Sequence, residues 1–372
     1  MKNIFLISFL LLFAGGELAK IHINQYLAIY LHDFLVFFYL IFNIKTLKKI
    51  ILNLKKIDKF NKKIFLLLLI NIIFAVAYSI GQNQFQFTSF LYLGRALAYF
   101  LFVLLLKKNY GQKKVVQVFL NASLLILGLG FGQYLFLPDL TNLYYLGFDD
   151  HFYRLTSTLL DPNFTALIFV FNWLYYAKKA NLNKKNLWFS ILFLLGLALT
   201  YSRAGYLALF LSGIYLWLKS QTTERRLIAL SLTAFLILLP LLPKGSGGEG
   251  VNLQRTSSIT ARIISAQQYI KQNEGLAIIF GRGPYQPHYQ LNREGLVSHA
   301  RFSDNFLIFF YNSFGLVGTV LILILLTQEI KNKSKKKQYW QLSLLIALLT
   351  HSLFNNNLSQ AFISLLFWGF YL

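Results

Sequence analysis

The sequence predicts an all-α polytopic membrane protein of about twelve transmembrane helices, with one large outer loop that contains short helices. Apolar residues make up 56% of the 372 residues, and the mean hydropathy is +0.53. Only 13% of the residues are charged, whereas a soluble domain carries roughly 25%. This composition excludes a soluble enzyme, a disordered chain and a fibrous protein. Because the chain has no Cys, disulfides, thiolate metal sites and a cysteine nucleophile are excluded as well.

Apolar stretches of nearly membrane-spanning length recur along the whole chain. A helix crosses a bilayer with about 20 mostly apolar residues. Residues 1–16 also resemble a signal peptide, but the very short gap before the next stretch favours a helical hairpin. The predicted spans are 3–19, 22–43, 64–81, 88–106, 115–137, 159–177, 186–201, 204–218, 227–243, 303–327, 338–353 and 357–372.

The connectors between these stretches are rich in Lys on one side of the predicted membrane. They comprise 45–63, 107–114, 178–185, 219–226 and 331–337. With about twelve spans, all of these connectors fall on the same side as both termini, and the positive-inside rule makes that side cytoplasmic. The net charge of +23 therefore reflects membrane topology, and no nucleic-acid partner is predicted.

The predicted spans and loops form one integral membrane domain. Helices one to nine occupy 1–243, a large outer loop occupies 244–302, and helices ten to twelve occupy 303–372. The loop opens with KGSGGEG, continues with a predicted helix from Thr260 to about Asn273, and then reaches the Gly/Pro-rich run FGRGPYQPHY. Loops of this length in compact proteins are usually functional.

Basic residues on the outer side are mostly Arg rather than Lys. A guanidinium presents a planar fork of donors that matches two phosphate oxygens, so this choice favours an anionic ligand such as a pyrophosphate or a lipid phosphate. The alternative is salt bridges with outer carboxylates and contacts with lipid headgroups. Arg95 lies within a predicted span, where a charge faces a polar cavity or extends to the surface. The outer set is Arg154, Arg203, Arg255, Arg262, Arg282, Arg293 and Arg301.

Four segments carry chemically informative residues in a fixed order. The first is RLTSTLLDPNFTAL, with Arg154 and Asn163, and the second is TYSRAGYLAL, with Ser202 and Arg203 in a tight outer hairpin. The third spans the large loop, where Arg262 is followed by FGRGP and then by SDNFLIFFYNSFGLVG. The fourth is HSLFNNN…FWGF. Together they resemble the O-antigen polymerase and ligase superfamily (Wzy and WaaL type) over about 150–372.

The resemblance implies glycosyl transfer at the periplasmic face of a bacterial inner membrane. A glycan would move from undecaprenyl pyrophosphate to an acceptor sugar hydroxyl, without a cofactor or metal. Arg203 and Arg262 would hold the pyrophosphate and neutralise charge on the leaving group, and Arg154 and Arg282 would support them. Membrane lipids and a chain-length regulator are the further partners implied. Substrate contacts are also expected from Asn163, Ser202, Gly281, Gly283, Asn305 and Arg95.

The acceptor hydroxyl needs a base, for which the sequence offers Asp304 and His299 in SHARFSDN. In ligases of the superfamily a His usually precedes the Asn at the mouth of this span. Here that position is Asp304, a pattern closer to the polymerases. Asp304 also suits a helix N-cap, because Ser303, Asp304 and Asn305 all fit the start of the following helix. The nearby aromatic residues Tyr285 and Phe302 are candidates for stacking on sugar faces.

Three alternatives to a polymerase remain open at the level of sequence. A ligase would hand the finished glycan to a lipid A core or a protein, so only the acceptor differs. A lipid-linked oligosaccharide flippase would also have about twelve spans, but it favours inverted repeats and ionisable residues near the bilayer midplane. A scaffold protein would not need a long outer loop with Arg, Gly and Pro at motif spacing.

Overall fold

The computed structural model describes residues 2–23, 28–54, 59–146, 149–180, 183–243, 248–286, 302–357 and 359–372. This part of the chain is almost entirely helical, which confirms the all-α class. The α-helices are α1 Lys2–Ala14, α2 Leu31–Phe42, α3 Ile44–Leu54, α4 Lys59–Gly81, α5 Thr88–Tyr110, α6 Gln112–Phe136, α7 Pro162–Lys179, α8 Lys184–Leu199, α9 Arg203–Lys219, α10 Thr222–Leu241, α11 Gly248–Val251, α12 Ser257–Lys271, α13 Ala277–Phe280, α14 Phe306–Lys335, α15 Tyr339–Ser352 and α16 Ala361–Tyr371.

Four helices, α4, α5, α6 and α14, are long and apolar enough to cross a membrane. Their outward faces leave large apolar side chains exposed, as lipid contact requires. On α4, for example, these are Phe65, Leu66, Leu69, Ile73 and Phe74. Each of the other predicted spans also contains a helix, but a shorter or less apolar one. The number of spans, their sidedness and the identity of the membrane stay predictions.

The start of the chain differs from the predicted pair of long spans. Gly16, at a φ of 60°, follows the end of α1, and a two-stranded antiparallel hairpin then pairs β1 (Lys20–His22) with β2 (Ala28–Tyr30). The predicted span 22–43 is therefore helical over only the 12 residues of α2. The backbone N–H of Tyr30 donates to Asp33 Oδ2 at 3.1 Å, which helps to begin α2 at this point.

One helix forms where the sequence analysis had placed a polar connector. The first part of the Lys-rich segment 45–63 folds as α3, because its Ile and Leu residues recur at helical spacing and its Lys residues gather between them. Such a helix suits the plane of a membrane surface.

Helix α7 lies at the centre of the core, with nearly every side chain along it buried. It packs against α6, α8, α9, α10, α15 and α16. Small residues let the neighbours approach closely. A Cβ on Gly196 would meet the ring of Phe169, and one on Gly213 would meet Trp173. Because α7 packs against six helices, the residues at its N-terminal end are held in fixed positions.

The large outer loop contains the predicted helix, which is α12 and begins a few residues before Thr260. It also contains the short helices α11 and α13. Residues 244–247 and 287–301 of the loop lie outside the described part of the chain.

The glycines of FGRG and FGLVG bring two backbones into contact. Gly281 (φ 82°) packs against Ser313, and Gly315 (φ 63°) packs against Ile279, each so closely that a Cβ would overlap backbone atoms of its partner. Gly315 also interrupts the helical conformation inside α14, so that this helix is kinked. The N–H of Gly283 donates to the Ser313 carbonyl at 3.1 Å. Gly281 and Gly283 therefore join the loop to α14, and their predicted role in substrate binding stays a prediction.

Helix α4 donates side-chain hydrogen bonds to both backbone segments that meet at Gly281 and Gly315. The buried Asn71 side chain donates to the carbonyls of Phe280 at 3.1 Å and Phe314 at 2.9 Å. The Ser79 hydroxyl donates to the Arg282 carbonyl. Since carbonyls freed by a kink are costly inside a membrane, these donors stabilise the interrupted α14.

Candidate functional site

A polar cavity of about 240 Å³ lies at the helix ends opposite the Lys-rich connectors. It is enclosed by the starts of α5 and α7, by α12, and by the segments that join α1 to α2, α6 to α7 and α15 to α16. Its lining comprises Glu17, Lys20, Ala28, Tyr30, Tyr92, Arg95, Asp149, His151, Leu159, Leu160, Asp161, Asn163, Phe164, Arg262, Phe302, Asp304, Asn355, Asn356, Ser359 and Gln360.

Arg262 and Asp304, two of the predicted catalytic residues, meet on the wall of this cavity. Arg262 Nε lies 3.6 Å from Asp304 Oδ2, with side-chain exposures of 30% and 49%. Arg262 Nη2 also donates to Asn355 Oδ1 at 3.3 Å. The pair is partly open to solvent, so both groups can change partner when a charged ligand enters.

Asn305, rather than Asp304, caps α14. Its Oδ1 accepts from the N–H groups of Leu307 at 2.9 Å and Ile308 at 3.4 Å, and its Nδ2 donates to the Leu353 carbonyl at 3.1 Å. The capping alternative for Asp304 is thus wrong. Both the oxygen and the nitrogen of the Asn305 amide are hydrogen-bonded to the protein backbone, so this structure gives no support to its predicted contact with substrate.

Arg203 is not among the residues that line the cavity. Its Nη1 donates to the carbonyl of Arg255 at 2.6 Å and to that of Leu253 at 3.4 Å. Burial lowers the pKa of Arg203, and the charge of Arg262 lowers it further. The pKa of Arg255 is lowered by burial and then by Arg203 and Arg262. Arg203, Arg255 and Arg262 therefore form an arginine cluster whose members lie within electrostatic reach of one another.

The Arg154 side chain contacts backbone carbonyls just after the end of α8. It is almost fully buried, and its Nε donates to the Thr200 carbonyl at 3.0 Å, with Nη2 at 3.5 Å from the Tyr201 carbonyl. Burial is the main cause that lowers the pKa of Arg154 to about 9, followed by the charge of Arg255. Since its guanidinium satisfies carbonyls left open at a helix terminus, the predicted substrate contact is replaced by a structural role.

Ser202 and Asn163 link the starts of α9 and α7. Ser202 Oγ accepts from the Gly205 N–H at 3.2 Å as the N-cap of α9, and donates to Asn163 Oδ1 at 2.9 Å. Ser202 is fully buried, whereas Asn163 lines the cavity. Asp161 caps α7 by accepting from the Asn163 N–H at 2.6 Å and lines the cavity as well. Ser202 is thus a positioning residue for Asn163, whose predicted contact with substrate stays a prediction.

Arg95 is paired inside the protein. Its Nη2 lies 3.0 Å from Asp33 Oδ2 and donates to the Ala28 carbonyl at 3.1 Å, and its guanidinium lies 5.3 Å from the centre of the Tyr30 ring. The Tyr99 hydroxyl also donates to Asp33. A paired charge at membrane depth is far less costly than a single one. Arg95 still lines the cavity, on the side away from α12.

Arg282 lies apart from the other predicted residues. It lines a separate cavity of about 20 Å³ with Gly283, and its Nη1 donates to Gln272 Oε1 at 3.0 Å. Burial lowers the pKa of Arg282. The predicted support of the pyrophosphate by Arg282 is therefore not provided by this geometry. The other predicted base, His299, lies outside the described residues.

Several lining residues had not been predicted as site residues. Glu17 and Lys20 form an ion pair at 2.8 Å, and Asn355 and Asn356 come from the NNN run of the last motif. That run was part of the resemblance but had no assigned role, and its position in the chain was the only signal available. Within the described ranges no group of three or more His, Asp and Glu could hold a metal ion.

No protein-family model matches the chain, and no curated protein matches it in sequence. The class defined by fold and site is an all-α protein with apolar helices of membrane-spanning length and a polar cavity at one end of the bundle.

Proposed function

We propose that the protein is a polysaccharide polymerase, which transfers a glycan from undecaprenyl pyrophosphate to the acceptor sugar of a lipid-linked repeat unit. The polymer would be an O-antigen, capsule or exopolysaccharide. The observation that carries the proposal is the Arg262–Asp304 pair on the wall of a polar cavity at the ends of apolar helices. A cation for the leaving group and a carboxylate for the acceptor thus stand side by side.

The donor pyrophosphate binds at the arginine cluster. Arg262 reaches into the cavity, and the charges of Arg203 and Arg255 add to the positive potential behind it. A doubly charged phosphate group would relieve the repulsion between these guanidiniums. Fixed positive groups at the leaving oxygen also stabilise the charge that develops there as the glycosidic bond breaks.

The acceptor sugar binds on the side of Asp304. Its hydroxyl oxygen forms a bond to the anomeric carbon of the donor while the bond from that carbon to the pyrophosphate oxygen breaks. The hydroxyl proton passes to the Asp304 carboxylate, and the electron pair of the broken bond leaves on undecaprenyl pyrophosphate. When the anionic phosphate takes over Arg262, Asp304 is released from the ion pair and becomes a better proton acceptor.

The test is complementation of a deletion strain with wild type, Arg262→Ala, Asp304→Asn or the control Lys271→Ala. Lys271 is exposed at the far end of the same helix as Arg262. Surface glycan is resolved on a gel beside a blot for the amount of protein in the membrane.

For a polymerase, the two site variants lose the long-chain ladder and retain a single repeat unit, while Lys271→Ala resembles wild type. Loss of all attached glycan, with polymer accumulating on its lipid carrier, would assign a ligase instead. A normal ladder from both site variants at wild-type abundance would contradict the proposal.

A further inference from the structure

Two amide groups in the cavity have no hydrogen-bond acceptor among the described residues. Asn355 and Asn356 line the cavity, each is only 6% exposed, and each has a buried Nδ2 without a partner. Buried donors left unpaired cost free energy, and native proteins normally satisfy them with protein, water or ligand oxygens. Two such donors on adjacent residues that both line the cavity point to a ligand that offers oxygen atoms.

The orientation of both amides is set by their oxygen atoms. Asn355 Oδ1 accepts from Arg262 Nη2 at 3.3 Å, and Asn356 Oδ1 accepts from the Ser359 N–H at 3.3 Å. Arg262 and the Ser359 N–H are donors only, so the atom that faces each must be an oxygen. The NH₂ groups consequently point away from these partners.

The hairpin between α15 and α16 holds these residues in place. The third Asn of the run, Asn357, is fully buried, with Oδ1 3.1 Å from His351 Nδ1 and Nδ2 donating to Ser352 Oγ at 2.8 Å. The Asn355 N–H donates to the His351 carbonyl at 3.1 Å. Because the backbone and Asn357 are fixed by the protein, the donors of the other two Asn residues are preorganised.

The charges of the cavity indicate what kind of oxygen is bound. Its described lining contains carboxylates from Glu17, Asp149, Asp161 and Asp304. Of the lining cations, Lys20 is paired with Glu17 and Arg95 with Asp33, which leaves Arg262 as the lining cation that belongs to the arginine cluster. Carboxylates repel phosphate but accept hydrogen bonds from hydroxyls, and an amide NH₂ donates to the same hydroxyls. A sugar, whose hydroxyls donate and accept at once, satisfies both groups. Phosphate is expected only near the arginine cluster.

We propose that Asn355 and Asn356 bind sugar oxygens of the lipid-linked glycan, at the units nearest the pyrophosphate. The inference rests on the proposed function, because Arg262 is the pyrophosphate ligand there and Asn355 is bonded to Arg262. The donor site thus recognises its substrate in two parts: guanidiniums hold the phosphates, and uncharged amides hold the first sugars.

Binding of two probes to the full chain in lipid nanodiscs tests this division. One probe is bare undecaprenyl pyrophosphate, and the other is the same carrier with one native repeat unit. Asn356→Ala should bind the bare carrier as wild type does and the glycan-bearing carrier about fivefold more weakly, the effect of one lost hydrogen bond. Asn355→Ala also removes the acceptor for Arg262 Nη2, so it should weaken both probes, with the glycan-bearing carrier weakened about fivefold more than the bare one. Asn356→Asp keeps the acceptor for the Ser359 N–H but replaces the donor NH₂ with an anionic oxygen, so it should weaken the glycan-bearing carrier at least as much as Asn356→Ala does.

Matched variants separate this inference from the proposed function. Asn332→Ala, at the exposed Lys-rich end of α14, should leave both probes unaffected. Arg262→Ala should weaken both probes, and failure to do so would contradict the pyrophosphate site while leaving the amide site standing. Wild-type binding of both probes by all three Asn variants, or equal weakening of both, would overturn the glycan-binding role of Asn355 and Asn356. An unchanged thermal unfolding temperature shows that each variant is folded.

Discussion

Asp304 Oδ2 lies 3.6 Å from Arg262 Nε, although Arg262 belongs to the outer loop and Asp304 to the segment that follows it. Helix α12 brings the guanidinium, and the start of α14 brings the carboxylate. Because Asn305 caps α14, Asp304 has no capping role and faces the cavity. Of these two adjacent residues, Asn305 caps the helix and Asp304 faces the cavity, and the sequence alone could not assign the two roles.

Asp304→Asn should abolish most of the activity and leave the fold intact. The substitution removes the proton acceptor without changing the shape of the side chain, and general bases contribute roughly 10²–10⁴-fold to rates. Stability should change little, because partly exposed ion pairs are worth about 0–1 kcal/mol. Turnover of lipid-linked repeat units by purified protein in nanodiscs, with thermal unfolding in parallel, measures both effects.

The matched control is Asn305→Asp at the next position. Its carboxylate still caps α14, and this change leaves Asp304 untouched. Turnover near the wild-type rate is expected. If Asp304→Asn keeps more than a tenth of the wild-type turnover, Asp304 is not the base.

Asn305→Ala should weaken the protein by a measurable amount. It removes the acceptor for the Leu307 and Ile308 N–H groups, a loss that typically costs about 1 kcal/mol. A lower thermal unfolding temperature is expected for Asn305→Ala than for Asn305→Asp, which keeps the cap and loses only the Nδ2 donor to the Leu353 carbonyl. Equal unfolding temperatures for Asn305→Ala and wild type would mean that this cap is not needed.

The all-α class and the neighbourhood of Arg262 and Asp304 could be predicted from sequence. The apolar composition predicts the all-α class, and the order of the motifs indicates that Arg262 and Asp304 belong to one site. The capping choice could not be predicted, because Asp304 and Asn305 are both good cap residues and only the backbone path decides between them. Arg282 shows the same limit, since a motif fixes its position in the chain but not the cavity that its side chain reaches.

Long-range partners were also beyond a single sequence. Hydrophobic periodicity locates helices but does not say which helices become neighbours. The pairing of Asp33 with Arg95, and the hydrogen bond from Arg262 to Asn355, are contacts between segments far apart in the chain. The β1–β2 hairpin was missed because its second strand runs directly into the apolar stretch of α2, so that both belong to one predicted span.

Gly281→Ala and Gly315→Ala should each strongly destabilise the protein. Both glycines have positive φ, which for other residues costs about 1–3 kcal/mol, and a Cβ at either position would overlap backbone atoms. Gly128→Ala is the control, because nothing lies near its Cβ position and Ala favours a helix by about 1 kcal/mol. Thermal unfolding in detergent should show two large losses of stability and no loss for the control. Normal stability of either variant would contradict the close contact between α13 and α14.

Removing one charge of the Asp33–Arg95 ion pair should destabilise the fold more than removing both charges. The two side chains are 15% and 19% exposed, so Asp33→Asn leaves a guanidinium poorly compensated in a predicted span, at a cost of about 3–5 kcal/mol. Arg95→Met leaves the opposite charge and should be similarly harmful. The double variant removes both charges and should recover most of the loss, since buried ion pairs often exchange for apolar groups at little cost. A double-mutant cycle on chemical unfolding measures the coupling, and additive losses would contradict a direct interaction between the two side chains.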